Sequence, residues 1–105
     1  MTRELNTRLQ TIGKKIKKGY HAEKVILFGS YAKGNATEDS DVDLLVVAPT
    51  KERFFERMAS VRRLIRDLRD GLPVSPIVLT PGELEKRRQA GDPFVQEILE
   101  TGVSL

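Results

Sequence analysis

Residues Phe28 to Val46 read FGSYAKGNATEDSDVDLLV, with two glycines, a serine and a lysine placed ahead of Asp41 and Asp43. Upstream, Lys24 to Phe28 (KVILF) is a short apolar run that stops at Gly29, and downstream Asp41 to Ala48 (DVDLLVVA) is a second, closed by Pro49. The two runs read as strands joined by a glycine turn and a polar loop. Residues i and i+2 of a strand point to the same face, about 6.5 Å apart, so Asp41 and Asp43 aim together while Val42 and Leu44 aim the other way. Two carboxylates so placed repel each other unless a cation sits between them. Mg²⁺ suits such a pair, because it takes oxygen ligands, keeps several waters and commonly uses one or two carboxylates plus substrate phosphates. Two such ions can clamp the attacking and leaving oxygens of a phosphoryl-type displacement.

The glycine side supplies a complement. Gly29 lets the backbone turn sharply, and Ser30 is expected to open a short helix through Tyr31, Ala32 and Lys33 that Gly34 ends. A helix amino terminus with free N–H groups and a hydroxyl is suited to a phosphate, and Lys33 adds positive charge. Two familiar motifs fail here. A P-loop needs Lys and Ser/Thr where Asn35 and Ala36 stand, and an EF-hand needs glycine and glutamate where Leu44 and Thr50 stand.

Working outward, Leu5, Leu9, Ile12 and Ile16 form one apolar stripe on a first helix that Gly19 can end. Phe54, Met58, Val61, Ile65 and Leu68 keep helical spacing from about Lys51 to Asp70, with Thr50 as the expected cap and Gly71 as the stop. Of the adjacent Phe54 and Phe55, one is expected in the core and the other exposed. Val74 to Leu79 (VSPIVL) reads as a third strand, and Pro76 assigns it to a sheet edge or an irregularity. Thr80-Pro81-Gly82-Glu83 predicts a capping box and a helix to about Ala90. Asp92-Pro93 opens a last helix with Phe94, Val95, Ile98 and Leu99 on its inner side, and Gly102 to Leu105 reads as a short extra strand or a frayed end, with the frayed end favoured. The expected fold class is α/β (α+β), a small mixed three-stranded sheet with helices packed on it, in one domain over residues 1–105.

The 105 residues bear a formal net charge of +3 and no cysteine, which excludes disulfides and thiolate chemistry. Any metal must be held by oxygen or by His21, which reads as an exposed loop residue. No apolar run approaches the ~18 residues of a membrane span and no signal peptide is evident, so the expected location is cytoplasmic. The cations fall in three groups: Lys14 to Lys18, Arg62 to Arg69, and Lys86 to Arg88. They read as solvated helix faces, without the interleaved aromatics of a base-stacking surface. A basic nucleic-acid-binding domain is therefore the least favoured of three functional readings.

Gly29-Ser30-Tyr31-Ala32-Lys33-Gly34, followed by Ser40-Asp41-Val42-Asp43-Leu44-Leu45-Val46, closely resembles the G-S-x-A-R-G … S-D-x-D-L-x-V signature of the minimal nucleotidyltransferases of the DNA polymerase β superfamily. The resemblance implies that Gly29 and Ser30, helped by Lys33, bind the triphosphate of a nucleotide, with ATP the expected substrate. It also implies that Asp41 and Asp43 are catalytic and hold Mg²⁺, as one or two ions. The reaction would move a nucleoside monophosphate from NTP to an acceptor hydroxyl, with pyrophosphate leaving.

Two features depart from the pattern. Lys33 stands where Arg is usual, which keeps the charge and loses the bidentate fork. In Pro73-Val74-Ser75-Pro76-Ile77-Val78-Leu79-Thr80-Pro81, Ser75 stands where the family commonly has a third carboxylate that helps deprotonate the acceptor. Either the acceptor is activated another way, for instance by metal-bound hydroxide or a neighbouring Glu83, or the chain binds nucleotide without efficient transfer. Larger members add domains that hold the acceptor, so here that role is expected of a partner or of a second copy in a homo-oligomer. Similar minimal members pair with a small helical toxin as its antitoxin and transfer AMP to it, a role that rests on analogy.

Overall fold

In a computed structural model, which describes residues 2–105, the elements run α1 (Arg3–Gly19), β1 (Lys24–Phe28), α2 (Ser30–Lys33), β2 (Val42–Val47), α3 (Phe54–Leu64), α4 (Arg66–Arg69), β3 (Val74–Leu79), α5 (Pro81–Gln89), α6 (Pro93–Thr101) and β4 (Val103–Ser104). The sheet order is β3-β2-β1-β4, with β2 and β3 parallel and β1 antiparallel to both β2 and β4. The class is the expected mixed α/β, but the sheet has four strands where three were expected. The correction lies at the carboxyl-terminal segment: Val103 and Ser104 pair with Leu27 and Ile26, and the Leu105 amide donates to the Val25 carbonyl at 2.9 Å. Two residues are too few to show a strand period, so only the tertiary pairing defines β4.

Alternation along the strands divides the core in two. Val25, Leu27, Val42, Leu44, Val46 and Val78 pack under α1 and α3 against Leu9, Ile12, Ile16, Val61 and Ile65. On the other face Ile26, Leu45, Val47 and Leu79 meet Ile98 of α6, with Phe28, Ile77 and Leu84 at the margin. The sheet is thus covered on both sides, which is why β1 and β2 read as continuous apolar runs. β3 is an edge strand, so the missing N–H of Pro76 leaves no ladder bond unmade in the interior.

Thr2 caps α1 by accepting from the Leu5 amide at 3.1 Å. The long helix expected over Lys51 to Asp70 is interrupted: Arg53 is the N-cap, the helix breaks at Ile65, and Asp70 closes α4 in the left-handed region. Thr50 instead accepts from the Glu52 amide. Phe54 and Phe55 are both exposed, at 40% and 78%, and the buried residue of that turn is Arg57. Phe94 and Leu99 are also largely exposed, so the inner side of α6 is Val95 and Ile98 alone.

Arg57 joins α3 to the start of α5. Its guanidinium donates to the Glu52 and Val78 carbonyls and to both carboxylate oxygens of Glu83, at 2.6 and 3.3 Å. Glu83 also closes the capping box on the Thr80 amide at 2.8 Å. The hydrogen bonds from Arg57 and then from the Thr80 backbone hold the Glu83 carboxyl below the usual range. A depressed carboxyl contributes stability that is full above its unfolded value near ~4.3 and is lost as pH falls through the folded value. Glu83→Ala leaves Arg57 buried without its counter-ion and is expected to cost about 1–3 kcal/mol at neutral pH. The difference from the wild type should shrink on acidification in urea titrations run at a series of pH values.

Candidate active site

The signature residues come together where β1 ends and β2 begins. Gly29 follows the last residue of β1 with φ +74° and ψ −152°, a backbone state that a side chain resists. A Cβ added there would lie 2.4 Å from Oδ2 of Asp43. Gly29 is therefore a glycine for two independent reasons, and the second ties it to the carboxylate fourteen positions downstream. α2 opens at Ser30 and is a single turn, closed by Gly34 at φ +77° with the Asn35 amide on the Ser30 carbonyl at 3.1 Å. One turn has little macrodipole, so an anion at this turn would depend on the first free N–H groups and the Ser30 hydroxyl.

β2 begins at Val42, one residue later than expected, with the Val42 amide donating to the Pro73 carbonyl at 2.7 Å. Asp41 sits at the strand entry and is exposed; Asp43 is half-buried on the α6 face of the sheet. Phe28 of β1 and Ser75 of β3 are the Cα partners of Asp43, so the three lie in one row across the sheet. Ser75 thus occupies the strand position beside Asp43. Burial first, and then the negative charge of Asp41, push the Asp43 carboxyl above the usual carboxylate range.

No side chain among the described residues ion-pairs with either aspartate. Lys33, the cation nearest in the signature, donates instead to Glu97 Oε1 of α6 at 2.7 Å. Both partners are about half exposed, which puts the pair in the class worth about 0.2–1 kcal/mol and makes it easy to exchange. Phe28 meets Phe94 edge to face, ring centroids 5.6 Å apart. Phe28, Gly29, Lys33, Phe94, Glu97 and Thr101 line a cleft of about 210 Å³ beside the glycine turn, and neither aspartate is part of its lining.

Sequence reasoning missed Glu97 and placed Phe94 on the inner face of α6 without its contact to Phe28. Glu97 is 64 positions from Lys33, so no local pattern pointed to it. Glu83 lies at the far end of β3 from Ser75, about 13 Å along the strand by its rise, and is taken up by Arg57 and the Thr80 cap. It does not face the carboxylate row, and the acceptor-activating alternative assigned to it is withdrawn.

Among the described residues no group of three or more His, Asp or Glu side chains gathers as a metal cage. Two unneutralised carboxylates, one of them raised by burial and then by the charge of the other, nonetheless fit a hard divalent cation that takes its remaining ligands from water and phosphate oxygens.

A one-turn glycine-serine element folded against an Asp-x-Asp strand, on a mixed sheet covered by helices, defines a nucleotide-transferring class of protein. Residues 5–104 match the nucleotidyltransferase domain family, and the chain belongs to it. A Methanocaldococcus jannaschii relative named "Putative protein adenylyltransferase" is 30% identical over 84 residues, 79% of this chain and 78% of its own. A second relative of that name and organism is 44% identical over 63 residues, which span 57% of this chain but 43% of the relative. The crystal structure of a "putative nucleotidyltransferase" from Sulfolobus solfataricus matches with a TM-score of 0.61 at 29% identity, covering 93% of this chain and 76% of that one. The reaction class that the family's name gives is nucleotidyl transfer.

Proposed function

We propose that the chain transfers AMP from ATP to a hydroxyl group on a protein, with Asp41 and Asp43 holding Mg²⁺ and the Gly29-Ser30 turn receiving the triphosphate. The observation that carries this reading is the 2.4 Å approach of a Gly29 Cβ position to Asp43 Oδ2, which makes the turn and the carboxylate one site. The protein acceptor is supported by the names of the relatives.

Asp41 and Asp43 would hold Mg²⁺, which would supply charge neutralisation and polarisation of the phosphoryl oxygens. The chain's own residues do the rest. The Ser30 hydroxyl and the free amides of α2 hold phosphate oxygens, and Lys33 leaves Glu97 to add a positive charge, an exchange that an exposed ion pair permits at small cost. The acceptor oxygen bonds to the α-phosphorus, the bond from that phosphorus to the bridging oxygen of the β-phosphate breaks, pyrophosphate leaves, and the hydroxyl proton passes to solvent. Phe28 and Phe94 shield one side of the site from water.

Incubation with ATP labelled at the α-phosphate, Mg²⁺ and a host-cell protein extract should leave acid-stable label on a protein; label that appears only when placed at the γ-phosphate would refute the transfer of AMP.

Ser75 favours a second reading, a nucleotide-binding antitoxin module that transfers weakly, because it lies directly opposite Asp43 and can neither bind a cation as a carboxylate nor act as a base near neutral pH. Ser75→Asp separates the two. A rise in transfer of about 10²-fold or more, the range of a restored general base, supports a weakened enzyme. A wild-type rate that Ser75→Asp does not raise supports full activity by another route.

A further inference from the structure

The outer face of α3 and α4 carries a stripe that the nucleotide site does not use. Phe55, Ala59, Arg62, Arg66 and Arg69 recur at steps of four, three, four and three, the spacing of one helical face, over about 21 Å. The break at Ile65 keeps the path helical, since the Ile65 and Arg69 amides still bond four residues back, to Val61 and Ile65. Ala59, Arg62, Arg63, Arg66 and Arg69 line a shallow groove of about 330 Å³. Phe55, 78% exposed and braced edge to face by Phe54 at 5.7 Å, stands one turn beyond its end.

Among the described residues none of these four arginines ion-pairs with a carboxylate. Arg69 differs from its neighbours, because its Nε is buried with no hydrogen-bond acceptor. Such a donor costs stability unless something accepts from it. Arg8 of α1 fixes the Arg69 turn by donating to the carbonyls of Arg69 and Asp70.

We propose that this stripe docks an acidic, apolar-anchored segment of the protein that receives the nucleotide, carboxylates on the arginines and an apolar side chain against Phe55. The proposal rests on the protein-acceptor reading above. Arg presents a planar fork matched to carboxylate, and a free cation row calls for an anionic partner. A protein segment is favoured over single-stranded nucleic acid because the single aromatic stands at one end of the cation row, whereas stacking successive bases needs aromatics between the cations.

The test uses the full chain and fluorescence anisotropy with a labelled peptide of glutamates interrupted by leucine, beside the same peptide with glutamine for glutamate and an oligouridylate of equal length. The glutamate peptide should bind with an affinity that falls as salt rises. The double variant R62Q/R66Q should weaken it about tenfold or more, and Phe55→Ser several-fold, while ATP affinity and melting temperature stay unchanged. Arg66→Glu gives a single-site check should the double variant lose stability. No binding of the glutamate peptide, equal binding of the glutamine peptide, peptide affinity indifferent to R62Q/R66Q, or tighter oligouridylate binding through the same arginines would each overturn the proposal. Peptide binding without any ATP binding would instead sustain the stripe and remove the transferase reading.

Discussion

Asp43→Asn is expected to abolish nucleotidyl transfer while making the nucleotide-free protein more stable. The first half follows from charge. Asp43 is the half-buried member of the carboxylate pair, and on the proposed mechanism removing its charge takes away a cation ligand and the neutralisation that phosphoryl transfer depends on, which corresponds to about 10²–10³-fold or more in rate. The second half follows from the same environment. Burial, and then the charge of Asp41, raise the Asp43 carboxyl, so the fold favours its protonated form. A raised carboxyl contributes stability in full below its unfolded value near ~3.9, and that contribution is lost as pH rises through the folded value. At neutral pH the ionised group is therefore a net burden on the fold, and asparagine removes it. Melting curves without divalent cation should show Asp43→Asn above the wild type at pH 7, with the gap closing as pH falls and the Asp43 carboxyl takes up its proton. Addition of Mg²⁺ should raise the wild-type melting temperature and leave the variant's in place. A variant that melts lower than the wild type at neutral pH would mean that Asp43 has a structural partner, and it would weaken the case for a site kept under strain for binding.

The opposite behaviour of Glu83 shows why these two carboxylates differ. Glu83 is satisfied by Arg57 and by the Thr80 amide, and its carboxyl is held down; Asp43 faces another carboxylate, and its own is held up. A carboxyl that the fold stabilises has a structural use, whereas one that the fold leaves uncompensated marks a place where a ligand is expected to arrive.

Legibility in the sequence followed the range of the interactions. The strands β1, β2 and β3, the caps at Thr80 and Asp92 and the edge position of Val74 to Leu79 were readable because each rests on local chemistry: apolar runs, a capping box, a proline in a strand. The pairing of β4 with β1 was not, since two residues carry no period and are fixed only by Leu27 and Ile26 across the chain. The exposure of both Phe54 and Phe55 was misread for a related reason. Helical spacing assigned one of them to the core, but the buried position of that turn goes to Arg57, whose charge is compensated by Glu83, a partner 26 residues away. In the site, the pairing of glycine turn and carboxylates was legible as a motif, and the neighbours of Asp43 across the sheet followed from register. Glu97, which holds Lys33, was invisible because nothing local distinguishes it from any glutamate on an exposed helix face.

Gly29→Ala is expected to lose nucleotide binding and a measurable part of the stability through one added carbon. An alanine held at φ +74° and ψ −152° costs about 1–3 kcal/mol in backbone strain, since that region belongs essentially to glycine. In addition the new Cβ would sit 2.4 Å from Asp43 Oδ2, inside any real contact distance, so the carboxylate or the turn must shift. If the carboxylate gives way, it turns from the direction it shares with Asp41; if the turn gives way, the Ser30 hydroxyl leaves the phosphate position. Either movement separates the two halves of the site, and a displacement of about 1 Å can cost about 10²-fold in a reaction that depends on positioning. Titration calorimetry with ATP and Mg²⁺ checks the binding, and urea unfolding checks the stability. The pair of variants also tests the contact itself. If the clash with Asp43 matters beyond the backbone strain, then introducing Gly29→Ala into an Asp43→Ala background, where the shortened side chain leaves room for the new carbon, should cost less stability than introducing Gly29→Ala into the wild-type background. Strictly additive losses would show that the glycine is required only for its backbone, and that the approach of Gly29 to Asp43 does not couple the turn to the carboxylate.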